Sequence, residues 1–294
     1  MTYRSIFLSP GWSYARYLGW RDESTDPDMR ILVQLRGPLR RTLVVSDVGS
    51  VAELERRWPG GASVSPMSEL CFHDLRGSDE IAAWLSGKGF RELGAKERLL
   101  NIATLVIDLA PDEEALFAAL SSDTRRKVRK AENAGLRFVA DAHADTAHVA
   151  TFIEAFNTMA GERALQPLWP ATIAAMIAGG DARLFAVLGE DGAPQTFLLS
   201  YETDGIGFFL SGAAAGRQND GAGHLLQWGT IRALKASGHR WYDMGGLAST
   251  DESNGIYRFK KGFGGTLVPL GREFGRSGAL VRAARGVSRF RGGG

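Results

Sequence analysis

At 294 residues, 44% hydrophobic and 23% charged, the chain is long enough for one large domain or two modest ones and has an ordinary globular composition. Thirty-five Lys and Arg against 33 Asp and Glu leave a net charge of +2, and one cysteine, Cys71, excludes an internal disulfide or a cysteine-based zinc cluster. No window approaches the ~18 apolar residues of a membrane span, Met1–Pro10 does not read as a secretory signal, and the five histidines form no i, i+4 pair, so the expectation is a cytoplasmic protein without an integral membrane segment or a metal site.

In chain order, Ile31–Leu35 and Thr42–Ser46 read as strands around the turn Arg36-Gly37-Pro38. Val51–Trp58 reads as a helix stopped by Pro59-Gly60-Gly61, and Gly77–Gly87 holds another. Residues 1–102 show no chemical signature. Thr104–Leu109 is a β-rich run. Pro111-Asp112-Glu113-Glu114 opens a helix, or two helices broken near Ser121–Thr124, ending at Gly135. A strand at Leu136–Val139 and helices at Thr146–Met159 and Pro170–Ile177 follow. Strands at Arg183–Leu188, Thr196–Tyr201 and Ile206–Leu210 are separated by Asp-Gly turns. Next come a helix at Ala222–Ala236, a strand at Arg240–Met244, a short helical turn and a last strand.

Charge is unevenly spread. Arg125-Arg126-Lys127-Val128-Arg129-Lys130 is one basic cluster, and from Arg276 onward there are five arginines and no acid. Such patches attract polyanions, although the first also complements the dipole of a helix that begins with Asp112, Glu113 and Glu114. Arg217-Gln218-Asn219-Asp220-Gly221-Ala222-Gly223 lies between a strand and a helix, where unpaired N–H groups form an anion site.

The most informative tract is Trp241-Tyr242-Asp243-Met244-Gly245-Gly246, followed by Gly255-Ile256-Tyr257-Arg258-Phe259-Lys260-Lys261-Gly262-Phe263-Gly264-Gly265. The glycines allow close backbone approach, and Phe259-Lys260 sets an ammonium beside an apolar wall, as an oxyanion site requires. The plain alternative makes Tyr257, Phe259 and Phe263 core residues and leaves the lysines solvated.

The Tyr-Asp-x-Gly-Gly strand end and the Tyr-x-Phe-Lys-x-x-Phe-Gly-Gly turn resemble those of the Fem-type aminoacyltransferases, a branch of the GNAT acyltransferase superfamily. Thr124–Ala131 resembles the Thr-Arg-Arg-x-x-Arg-Lys-Ala run of the same family, and Gln218-x-x-Gly221-x-Gly223 resembles the GNAT loop that holds the pyrophosphate of coenzyme A. The resemblance covers Ala103–Phe274. It implies an α+β fold with a GNAT-like mixed central sheet flanked by helices. It divides the chain into a degenerate or truncated GNAT-like lobe at 1–102, the acyltransferase domain at 103–274 and an Arg-rich segment at 275–294.

The implied activity is amide formation on an amine-bearing acceptor, a cell-wall precursor or small metabolite, with aminoacyl-tRNA as co-substrate and no tightly bound cofactor. Lys260 would meet the tetrahedral oxyanion beside Phe259, helped by backbone N–H groups near Gly245 and Gly246. Asp243 would be the general base or a plain strand-end hydrogen-bond acceptor. Gln218, Gly221 and Gly223 would bind the donor, and Arg125, Arg126 and Arg129 its phosphates. Two rivals stay open: an acyl-CoA-dependent N-acyltransferase, and an inactive GNAT-like module that binds RNA or serves as a scaffold.

Overall fold

The structure is a computed structural model that describes residues 3–283 apart from 10–11, 13–18, 59–62, 96, 164 and 216–220. The chain forms two compact units, Met1–Ala103 with Pro269–Gly294, and Thr104–Val268. Each has its own sheet.

In the first unit the sheet order is β1-β2-β3-β4-β13-β5. Here β1 is Arg21–Asp22, β2 Met29–Arg36, β3 Leu39–Ser46, β4 Ser68–Asp74, β5 Arg91–Glu92 and β13 Arg272–Ser277. The β2–β3 hairpin turns at Gly37 in the left-handed region, as the sequence predicts. Helices α1 (Val51–Arg57) and α2 (Asp79–Gly87) contribute Leu54, Ile81 and Leu85 to a core with Val44, Phe72 and Phe274. Strand β4 was not predicted. It runs parallel to β3 and buries Ser68, His73 and Asp74, so no apolar alternation marks it. Strand β13 pairs antiparallel with β4 and β5, so the second unit ends at Val268 rather than at Phe274. Pro59-Gly60-Gly61 and residues 284–294 of the Arg-rich segment lie outside the described residues.

The second unit carries the sheet β12-β6-β11-β10-β9-β8-β7. Its strands are β6 (Ala103–Asp108), β7 (Arg137–Val139), β8 (Ala182–Leu188), β9 (Pro194–Thr203), β10 (Ile206–Ala214), β11 (Trp241–Leu247) and β12 (Thr266–Pro269). Strands β7 to β10 form an antiparallel meander, and β10 and β11 pair in parallel. That parallel ladder ends at Phe208↔Asp243 although both strands continue, and β10 carries a bulge between Phe209 and Ser211.

Capping explains the helix at the basic cluster. Asp112 caps α3 (Glu113–Ala119), and Ser121 accepts the Thr124 N–H to begin α4 (Ser122–Asn133), so the expected break separates two helices. Helix α4 buries Thr124, Val128 and Ala131, a helical spacing that leaves its cations on the opposite face. Helices α5 (Thr146–Glu162), α6 (Pro170–Ala178), α7 (Ala222–Ala236) and α8 (Gly255–Lys261) complete the unit. The result is the expected α+β fold, a GNAT-like mixed sheet flanked by helices. Among the described residues no helix is long and apolar enough to cross a membrane.

Candidate active site

Helix α8 begins at Asn254, whose side chain accepts the Ile256 and Tyr257 N–H groups at 3.0 Å each. Two turns later it delivers Lys260 inward, leaving only 8% exposed. The Nζ donates to the Gly245 and Gly246 carbonyls of β11, each at 2.9 Å, and lies 5.6 Å from the centre of the Phe209 ring. Two of its three N–H donors are thereby occupied. Burial pulls the ammonium down to about 8, against the upward pull of Asp243.

The geometry around the Gly pair differs from the expected one. Gly245 and Gly246 present carbonyls to Lys260, and the Gly245 N–H donates to Asp243 Oδ1 at 2.8 Å. That N–H is therefore engaged. Gly245 sits at φ +78°, and a Cβ there would come within 2.8 Å of the Phe209 carbonyl oxygen, so the position requires glycine. Asp243 is 1% exposed and is bonded to the Thr104 hydroxyl as well as to Gly245. Both partners belong to the protein itself.

Next to this cluster lies a cavity of about 700 Å³. Strands β9 and β10 supply Gln195, Thr196, Phe197, Phe209 and Gly212; α7 supplies Ala222, Gly223, His224, Leu226 and Gln227; α8 supplies Phe259. Arg126, Lys127 and Lys130 of α4, with Arg163 after α5, give it four cationic side chains. Lys260 is not among the lining residues, but Phe209, whose ring centre lies 5.6 Å from its Nζ, is.

The α7 N-terminus opens on this cavity at Ala222 and Gly223. Gly221 precedes it at φ +92°, and a Cβ there would lie 2.4 Å from the Lys127 carbonyl oxygen. Close packing of α7 on α4 thus demands this glycine. At Gly223 a Cβ would meet nothing within 4 Å. Gln218 lies outside the described residues.

The three arginines of α4 separate. Arg125 donates to the Ala118 carbonyl at 2.8 Å and to that of Leu120, closing the end of α3. Arg126 is exposed, paired with Asp123, and lines the cavity. Arg129 is exposed and stacks over Phe117 at 5.3 Å. A surface hollow of about 640 Å³ along α4 is lined by all three together with Lys130.

Two residues here escaped the sequence reading. Thr104 looks like any β-branched residue of a buried strand. His224, whose ring packs on Phe259 at 5.0 Å and on Phe263 at 5.9 Å, is neutral: burial, helped by Lys127 and opposed by Asp123, holds it down at about 4. Its place one turn into a helix after a glycine loop was the available signal.

Residues 118–261 match the model of the acetyltransferase (GNAT) domain. No curated protein sequence matches the chain. Among solved structures it is similar to FemX, at 17% identity and TM-score 0.66 over 96% of this chain and 94% of that one. It is similar also to the C-terminal domain of a protein assigned as a lysylphosphatidylglycerol synthetase from Agrobacterium fabrum, at 12% identity and TM-score 0.60 over 95% and 92%. A third is L-PGS from Bacillus licheniformis, at 12% identity and TM-score 0.57 over 94% and 92%. The chain carries a GNAT domain, has a Fem-like fold, and is an acyltransferase.

Proposed function

We propose that the protein transfers an aminoacyl group from aminoacyl-tRNA to an amine-bearing acceptor, a cell-wall precursor or a small metabolite, in the cytoplasm. The observation that carries this reading is the run of cations from the outer face of α4, Arg129 and Arg126, to the cavity rim at Lys127, Lys130 and Arg163. A strip of that extent suits several successive phosphates of a nucleic-acid donor. The likeness to FemX supports it, and residues 1–102 would then be a reduced GNAT-like lobe.

In this reading the acceptor amine attacks the ester carbonyl, a C–N bond forms, and the C–O bond to the tRNA breaks as the amine loses a proton. Holding the two reactants together supplies much of the rate. Lys260, with one N–H beyond its two carbonyl contacts, meets the oxyanion, and Phe259 and Phe209 exclude water beside it. Gly245 and Gly246 contribute the carbonyls that hold the lysine. Gly221 and Gly223 shape the donor side, where Gln218 would join them. Arg126 and Arg129 bind phosphate, and Arg125 braces the helix that carries them.

An acyl-CoA donor is the second reading, favoured by the α7 N-terminus, which opens on the cavity at Ala222 and Gly223. Calorimetric titration with coenzyme A, beside charged and uncharged tRNA, separates the two. Salt-sensitive binding of charged tRNA alone is expected. Micromolar coenzyme A binding with indifference to tRNA charging overturns the first reading in favour of the second.

A further inference from the structure

The polar cluster beneath the Gly pair carries an inference that rests on the proposed role of Lys260. Thr104 and Asp243, each 1% exposed, belong to neighbouring strands, β6 and β11. The Thr104 hydroxyl donates to Asp243 Oδ1 and lies 3.1 Å from the Gly245 carbonyl oxygen. The same Oδ1 accepts the Gly245 N–H at 2.8 Å. Asp243 holds the N–H of the Met244–Gly245 peptide, Gly245 then turns at φ +78°, and the carbonyls of the next two peptides, those of Gly245 and Gly246, both reach Lys260 Nζ at 2.9 Å. No ion pair joins Asp243 to Lys260 directly among the described residues, so the carboxylate acts on the lysine through the backbone turn at Gly245 that it anchors and through its charge.

We propose that Asp243 and Thr104 are positioning residues, which aim the Gly245 and Gly246 carbonyls at Lys260 and thereby place the ammonium that meets the developing oxyanion.

The surroundings leave Asp243 as the carboxylate that counts. On α8 itself, Lys261 is paired with Glu252 and lies over the Tyr257 ring, and Arg258 is exposed. Strand β10 contributes the uncharged Phe209 ring, and α7 contributes neutral His224. Lys127 and Asp123 of α4 act on His224, whereas Asp243 alone opposes the effect of burial on Lys260. Removing the Asp243 charge therefore lowers the pH at which Lys260 loses its proton.

The test uses Asp243→Asn, which keeps size and an acceptor oxygen, Thr104→Val, which keeps shape without the hydroxyl, and Thr104→Ser, which restores it. Competitive labelling of Lys260 with trace acetic anhydride across pH, read by mass spectrometry on the protein alone, reports its titration. The wild-type midpoint is expected at about 8. In Asp243→Asn it is expected to fall by about one pH unit. In Thr104→Val, kcat for amide formation is expected to fall up to about 10²-fold with KM for the donor unchanged, and Thr104→Ser to recover most of it. An unchanged midpoint in Asp243→Asn together with kcat within about twofold of wild type in Thr104→Val overturns the proposal. Because labelling needs no substrate, a wrong donor assignment leaves the midpoint shift in place, so the two failures are distinguishable.

Discussion

Each unit buries a small polar network, and the two close differently. In the first unit, Glu273 is fully buried and accepts the Leu99 and Leu100 N–H groups at 2.8 and 3.1 Å, the Cys71 thiol at 3.0 Å and His73 Nδ1 at 3.2 Å. The other ring nitrogen of His73 meets the Leu270 carbonyl. Burial raises the Glu273 carboxyl, but His73, the two N–H groups and Cys71 outweigh it and hold the group below the usual range. Burial and the neighbouring carboxylate push the Cys71 thiol far up, which removes it as a nucleophile. That network ties β13 and the 99–100 segment to β4. In the second unit the chain Thr104–Asp243–Gly245–Lys260 ends on an ammonium with a donor to spare, 5.6 Å from the ring of Phe209, which lines a cavity. A closed network holds a fold, and one that keeps a donor in reserve beside a cavity can serve a reaction.

The largest effect that separates the two is on stability. Glu273→Gln removes one partner of a buried pair and is expected to cost about 3–5 kcal/mol in a denaturant titration, with Lys260 labelling unchanged in the folded protein. Since the folded Glu273 is depressed, its stabilisation is present above the ordinary carboxylate value of about 4.3 and is lost as pH falls through the lower folded value, which an acid-unfolding curve of the same variant would no longer show. Lys260→Ala should reverse the pattern, with kcat down about 10²–10³-fold in single-turnover amide formation and the fold retained. Near-wild-type turnover in Lys260→Ala would remove the oxyanion role.

Smaller effects sharpen the donor side. Gly221→Ala is expected to cost about 1–3 kcal/mol in thermal unfolding, through positive φ and the approach of the Lys127 carbonyl. Gly223→Ala, into open space, should change unfolding little. Arg129→Gln should lower the salt slope of tRNA binding by about one, whereas Arg125→Gln should leave the slope alone and cost about 1 kcal/mol of stability, because Arg125 serves carbonyls of α3. Equal slopes for the two variants would break the division of labour along α4.

Local signals in the sequence were sufficient for the elements they governed. Asp112 marked a helix start, Ser121–Thr124 a possible break, and Gly37 and Gly135 a turn and a helix stop. Strand β4 was not legible, because His73 and Asp74 read as surface residues until the distant Glu273 and the local backbone donors are placed against them. In the same way the motif residues Phe259, Lys260, Gly245 and Gly246 were marked as a site, but their directions were not: donor and acceptor roles at the Gly pair depend on how three successive peptides are turned.

What the sequence determined by itself is what depends on near neighbours: helix caps, left-handed glycines, strand patterning in the meander, and a motif order that resembles one superfamily. Tertiary structure decided the rest. It gave β13 to the first sheet, set Arg125 apart from Arg126 and Arg129, and placed Thr104, 139 residues before Asp243 in the chain, against its carboxylate. The physical reason is that hydrogen bonds and burial join residues across any sequence separation, whereas propensity and capping reach only a turn or two along the chain.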